Sequence, residues 1–443
     1  MSAVDRGDRL EVVEICSGAG GQSLGLHRAG FTHRLAVELD YRAAETLRNN
    51  LRRVLKEDGE DPHDDLVRVG DVADRELWQP EEYRGIHLLA GGVPCPPFSI
   101  AGKQLGTGDE RDLFAWAVQQ CKIMKPRALL LENVRGLSAN RFAGYRQAVL
   151  DDLDSSGYVA QWKLLHASDF GVAQLRPRFV LVALQREFEP YFVWPEKQSG
   201  APSVGEVLSD LMGANGWEEE KVAAWVRGAN QIAPTIVGGS KKHGGADLGP
   251  TRAKRAWAEL GVDAMGVADE APAAGWERGG APGPKLTTAM VARLQGWHGP
   301  EFSDWKFEGR KTSVYRQIGN AFPPPVAKAI GEAIRDALLK KGEPRLSRHM
   351  VDKAHDPVYV VLRASTRPIG LEQIVAKVAK SGVVMEQSEV ELRLSHLRRD
   401  FDVTEVERSS GGPAYRLGNF MAFTGQEDHT RHEAFSRHRS RIS

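Results

Sequence analysis

Over the first 186 residues, short apolar runs alternate with stretches of helical spacing. Residues 10–15 form an apolar run with little polar alternation, the mark of a buried strand. Residues 16–21 then turn the chain through three glycines, and 22–29 carry Leu24, Leu26 and Ala29 at helical spacing. The alternation continues with strands over 35–37, 66–69, 86–90, 128–131, 158–165 and 179–184, and helices over 41–51, 112–124 and 142–153. Buried strands separated by helices predict an α/β fold, a mostly parallel sheet covered by helices on both faces.

From 187 to 285 the periodicity fades into segments rich in Gly, Pro, Ala and Trp, with brief periodic pieces such as 222–226. This stretch reads as an irregular domain inserted into the sheet. Regular structure returns at 287–296 and in the amphipathic helix 326–339, where Ile330, Ile334 and Leu338 recur every four residues. Gly342-Glu343-Pro344 then breaks the chain. Beyond it the pattern predicts a strand at 358–362, helices at 371–379 and 388–399, and a hairpin of 401–406 with 414–417 around Ser409-Ser410-Gly411-Gly412. That is the outline of a winged helix, in which Arg393, His396, Arg398 and Arg399 could face phosphates. Such modules bind proteins as well as DNA. The expected division is 1–186, 187–285, a return segment 286–342, a winged-helix-like module 345–425 and a basic, disordered tail 426–443.

Composition narrows the class only a little. The 443 residues are 41% hydrophobic and 27% charged with a formal net charge of zero, so nucleic-acid binding must rest on local patches. Three cysteines without CxxC or Cys/His spacing argue against a disulfide scaffold or a zinc site and fit a reducing cytoplasm. There is no apolar signal core at residues 1–10 and no membrane-length apolar run.

The candidate chemistry sits at the carboxyl ends of the predicted strands, where ligands bind in open α/β sheets. Glu38 could accept both hydroxyls of a ribose, and Asp71 could accept from an adenine amine. Gly91-Gly92-Val93-Pro94-Cys95-Pro96-Pro97-Phe98-Ser99 is a stiff loop with a thiol at its centre. Cys95 is there either a held nucleophile or a buried structural cysteine. Basic, glycine-bearing segments at 238–245 and 251–255 suit phosphate contacts or are solvated loops.

In combination these features resemble the cytosine carbon-5 DNA methyltransferases, in motif order from about Val12 to Ile334. The motifs are Glu14-Ile15-Cys16-Ser17-Gly18-Ala19-Gly20-Gly21, Pro94-Cys95, Glu132-Asn133-Val134, Gln174-Leu175-Arg176-Pro177-Arg178, Arg293-Leu294-Gln295-Gly296 and Tyr315-Arg316-Gln317-Ile318-Gly319-Asn320-Ala321. The resemblance implies a Rossmann-like methyltransferase sheet and S-adenosylmethionine as cofactor, held by Cys16, Ser17, Gly18, Ala19, Gly20, Gly21, Glu38, Leu39, Asp71, Val72, Pro94, Leu113, Asn320 and Ala321. It implies Cys95 as nucleophile, Glu132 at the N3 edge of the base, and Arg178 with Arg176 beside them. The 187–285 insert becomes the target-recognition region. Ser99, Lys103, Arg111, Lys241, Lys242, Arg252, Lys254 and Arg255 are candidate contacts to double-stranded DNA. A monomer is expected, with a cognate restriction endonuclease as partner if the enzyme serves a restriction system. A tRNA methyltransferase and a DNA-binding regulator are the alternative readings. Three positions depart from the family pattern: Pro96 for the usual Gln, Cys16 for Phe, and Ala289-Met290 for Arg-Glu.

Overall fold

The computed structural model describes residues 10–94, 113–198, 200–238, 246–345, 356–407 and 412–421. Cys95, Ser99, Lys103, Arg111, Lys241 and Lys242 lie outside them.

Seven strands form the central sheet: β1 (Leu10–Ile15), β2 (Phe31–Glu38), β3 (Val67–Val69), β4 (Leu88–Gly91), β5 (Ala128–Val134), β6 (Tyr158–His166) and β7 (Pro177–Gln185), in the order β3-β2-β1-β4-β5-β7-β6. The first five run parallel; β7 is antiparallel to both neighbours. The ten residues between β6 and β7 hold a single 3-10 turn, so the chain doubles back instead of crossing over a helix. The strand order reverses between β1 and β4, which opens a crevice at their carboxyl ends.

Helices α1 (Gly21–Arg28), α2 (Tyr41–Glu57), α3 (Leu113–Met124) and α4 (Ala143–Ser155) join these strands. Because side chains alternate along a strand, the sheet feeds two apolar layers. Val13, Ile15, Leu89, Leu129 and Leu131 pack with Phe114 of α3 and Tyr145 and Val149 of α4. Val12, Phe31, Leu88, Ala90 and Leu130 face the other way, toward Leu26 of α1. Asp40 starts α2 by accepting from the amides of Arg42 and Ala43, a cap worth about 1 kcal/mol.

The insert is more helical than the sequence pattern suggests. It holds α5 (Val204–Gly213), α6 (Glu219–Gly228) and α7 (Thr251–Glu259), gathered around the buried rings of Trp217, Trp225 and Trp257. α6 and α7 each bury a single tryptophan among their fully buried residues, too little to show a helical period. The return segment supplies α8 (Thr288–Leu294), α9 (Lys311–Asn320) and α10 (Pro324–Leu338), whose Val326, Ile330 and Ile334 complete the second apolar layer.

After residue 345 come α11 (Pro357–Arg363), β8 (Ile369–Gly370), α12 (Leu371–Lys380), α13 (Gln387–Asp400), β9 (Phe401–Glu407) and β10 (Pro413–Phe420), with an antiparallel sheet ordered β8-β10-β9. The expected strand at 358–362 is instead α11. Asp356 accepts from the amides of Val358 and Tyr359, and Pro357 presets the first helical φ. These local signals outweigh the β propensity of a valine-rich run, and Val358, Tyr359 and Leu362 share the buried face.

Candidate active site

The loops after β1 to β5 open onto a cavity of about 1370 Å³, closed from the far side by residues 235–238 of the insert and by α9. Of the expected site residues, Cys16, Ser17, Gly18, Ala19, Gly21, Glu38, Leu39, Asp71, Val72, Pro94, Leu113, Glu132, Arg178, Asn320 and Ala321 line it. One crevice thus gathers residues as far apart in the chain as Cys16 and Ala321.

The glycine loop is held open by positive φ angles at Cys16 (50°), Gly18 (57°) and Gly20 (94°). Glu38, at the end of β2, accepts from the amides of Gly18 and Asp40, each at 2.7 Å. Burial raises its pKa despite those two hydrogen bonds. A half-buried carboxylate at a strand end, beside a glycine turn that leaves no side chain in the way, is what a nucleoside ribose requires. Asp71 orders the next loop by accepting from Ala73 N at 2.9 Å, and Leu39, 48% exposed, offers an apolar face.

Gly20 has another role than the one expected. It does not line the cavity; a Cβ there would stand 2.3 Å from Cζ2 of Trp305 and 2.7 Å from Cδ1 of Leu47. Trp305 fills that space and donates its indole N–H to Ala19 O at 2.8 Å, so the return segment braces the loop. Gly20→Ala is expected to cost about 1–2 kcal/mol in backbone strain and about 1–3 kcal/mol in overpacking. A lower melting temperature with weaker cofactor binding by calorimetry would show this; wild-type values for both would refute it.

At the other end of the cavity, Arg178 Nε meets Glu132 Oε1 at 2.6 Å, both side chains about nine-tenths buried. The sheet register explains the encounter: Val134 lies opposite Arg178 and Glu132 opposite Val180, so Glu132 and Arg178 are diagonal neighbours on one face. Asn133 donates to Val93 O at 3.3 Å, tying β5 to the loop that leads to Cys95. A Cβ built on Gly92 would lie 3.5 Å from Glu132 Oε2, so that loop sets out beside the carboxylate.

Arg176, expected beside the base, lies elsewhere. It does not line the cavity, and its guanidinium donates to the carbonyls of Ile236, Gly319 and Ala321, each at 2.8 Å. Burial, followed by repulsion from Arg178, pushes its pKa well down. Gln174 works alongside, accepting from Ile236 N at 2.8 Å and donating to Gln295 at 2.6 Å. The QxRxR run therefore divides: Gln174 and Arg176 lock the insert and return segment to the sheet, and Arg178 alone reaches Glu132.

Among the basic insert residues, Arg252 and Arg255 are exposed on α7, away from the cavity, while Lys254 pairs with Asp247 at 2.8 Å. Gln22, Arg135, Thr235, Ser313, Arg316 and Gln317 also line the cavity, although the sequence pattern does not mark them as site residues. Arg316 and Gln317 lie inside a family motif, but the insert residue Thr235 carries no signal. Where Ala289 and Met290 replace the family's Arg-Glu, Met290 is buried and the brace to the insert is an Arg293–Asp210 ion pair.

A glycine-loop cradle with strand-end carboxylates thus shares one cavity with the Glu132–Arg178 pair. Residues 10–336 match the family of C-5 cytosine-specific DNA methylases. The chain belongs to that family. It is 62% identical to the Type II methyltransferase M.NaeI of Lentzea aerocolonigenes over 98% of this chain and 99% of the relative. It is also 47% identical to the Type II methyltransferase M.NgoMIV of Neisseria gonorrhoeae over 74% of this chain and 98% of the relative. The methyl donor of the family is S-adenosylmethionine, and the cradle around Gly18, Glu38 and Asp71 fits it.

Proposed function

We propose that the protein methylates carbon 5 of a flipped-out cytosine within a specific duplex sequence, through a covalent Cys95 adduct, as the modifying arm of a restriction system or as a solitary enzyme. The observation that carries this is the Glu132–Arg178 pair, buried in the cofactor cavity beside the strand that leads to Cys95.

Bound S-adenosylmethionine supplies an electrophilic methyl group. The chain's residues must make a poor nucleophile, carbon 5, electron-rich. The Cys95 thiolate adds to carbon 6, and the ring's 5,6 double-bond electrons become available at carbon 5. Glu132 holds N3 and the exocyclic amine and favours a proton on N3 as negative charge develops there, and Arg178 steadies Glu132 and the base. After transfer the carbon-5 proton leaves to a base, the double bond re-forms and Sγ departs. A stacked base cannot reach such a cavity, so the cytosine must leave the helix.

The remaining assignments belong to the same reading. Residues 1–186 and 286–342 form the catalytic unit and 187–285 recognise the target. Residues 345–425 are a winged helix, supported by the order helix, strand, two helices and hairpin. Arg252, Arg255 and the basic loops contact phosphates, and the enzyme acts as a monomer in the cytoplasm. Labelled S-adenosylmethionine and mixed duplex DNA should give label on cytosine, and bisulfite sequencing of DNA from an expressing host should give one recurrent motif. Absence of label, or label on RNA alone, would overturn the proposal.

A further inference from the structure

The chemistry leaves the module after residue 345 unused, yet that module is firmly seated on the catalytic unit. Gly144 of α4 is bare where Leu397 of α13 arrives; a Cβ there would stand 2.5 Å from Leu397 Cδ2. Tyr145 meets Phe420 at 5.2 Å between ring centroids, and Ala148 belongs to the module's own apolar cluster. Tyr359 Oη donates to Asp151 at 2.9 Å, and Arg363 pairs with the same carboxylate. An apolar seam with a charged clasp fixes the module's orientation relative to the cavity.

Positive charge collects along one edge of that seam. Two 3-10 turns, Arg135–Ser138 and Asn140–Phe142, run from the cavity, which Arg135 and Gly136 line, to a contact with α13. There burial, and then the positive charge of Arg399, Arg393 and Arg141 against the opposing charge of Asp356, holds His396 below the ordinary histidine value. Arg393 is engaged by Asp356 at 3.7 Å and Glu389 at 3.6 Å, whereas Arg399 is exposed, as is Arg135. The opposite end of α13 presents Glu386, Glu389 and Glu391 to solvent. Carboxylates at that end oppose the usual insertion of a recognition helix into a groove, N-terminal half first.

We propose that Arg135, Arg141 and Arg399 form a track for the phosphates of the substrate duplex flanking the target, so that the C-terminal module lengthens the DNA footprint without reading sequence. The inference rests on the DNA methyltransferase reading. Six residues of chain separate Arg135 from Arg141, at most about 20 Å when extended. Wound into 3-10 turns at about 2.0 Å rise per residue, those six residues span nearer three or four base steps at about 3.4 Å each. Arg135 and Arg141 belong to the catalytic unit, whereas Arg399 lies beyond residues 10–336, the part that matches the family.

The test uses the full chain and two duplexes carrying its methylation site, one with about 5 and one with about 15 flanking base pairs on each side. The wild type should show a KM several-fold lower on the long duplex. In Arg399→Glu and the milder Arg399→Gln that advantage should shrink, with kcat and the short-duplex KM within about twofold of wild type. The dependence of long-duplex binding on log salt should flatten by about one unit for each phosphate that is no longer neutralised. Equal wild-type KM values on both duplexes would overturn the proposal, as would a folded Arg399→Gln with the full advantage. Gln387→Ala or Ser388→Ala that changed the methylated motif would also overturn it, by making α13 a reader of bases. Failure of the wild type to methylate either duplex would instead strike the methyltransferase reading itself.

Discussion

Cys95→Ser is expected to abolish methyl transfer, lowering kcat by more than about 10⁴-fold as removal of a catalytic nucleophile does elsewhere, while S-adenosylmethionine binds as in the wild type. The asymmetry follows from the site's construction. The end of the cavity proposed for the cofactor is organised by Gly18, Glu38, Asp71 and the Trp305 brace, whose hydrogen bonds do not involve the thiol. A serine hydroxyl is a far weaker nucleophile near neutral pH than a thiolate, and the Glu132–Arg178 pair can polarise the base without supplying the bond to carbon 6. Filter binding of labelled product and calorimetry with the cofactor measure the two halves. A duplex containing 5-fluorocytosine adds a third readout, because its carbon-5 fluorine cannot leave as a proton does. The wild type should be trapped as a covalent complex and Cys95→Ser should not. Retained turnover in the variant would remove Cys95 from the mechanism.

The strand ends were legible in the sequence because buried parallel strands announce themselves and their last residues are polar for a reason. Glu38, Asp71 and Glu132 each follow an apolar run, and each lines the cavity. The division of labour inside Gln174-Leu175-Arg176-Pro177-Arg178 was not legible. The two arginines are chemically identical and two apart, which places them on one face only if both lie in a strand. β7 begins at Pro177, so Arg176 lies before it, in the connecting segment, and turns to the carbonyls of the insert and return segment. Gly20 shows the same limit: sequence reveals the need for a residue without a side chain, but not whether a ligand or Trp305 takes the space. The 358–362 segment shows that a cap can outweigh propensity, since Asp356 and Pro357 start a helix over four residues with β preference.

The division of the two arginines predicts opposite phenotypes. Arg176→Met should destabilise the protein, and Arg178→Met should silence it while leaving it folded. The Arg176 side chain satisfies three carbonyls that belong to the insert, α9 and the residue after α9. Methionine fills much of the same volume but donates nothing. Ala321 O keeps the Gln295 amide at 2.8 Å, but the carbonyls of Ile236 and Gly319, left buried and unpaired, cost about 1–3 kcal/mol each, and relief of a buried charge returns part of that sum. The net should still be a loss of several kcal/mol, concentrated where the insert and return segment meet the sheet. Limited proteolysis should therefore cut within 200–320 before it cuts elsewhere, and the melting temperature should fall. Arg176→Lys should rescue little, because an ammonium on a single stem cannot reproduce the planar fork that reaches all three oxygens. In Arg178→Met the main loss is the 2.6 Å ion pair with Glu132, so melting should change less while turnover collapses. If Arg176→Met kept wild-type stability and lost only kcat, Arg176 would belong with the base after all, and the locking role given to it by its three carbonyls would be wrong.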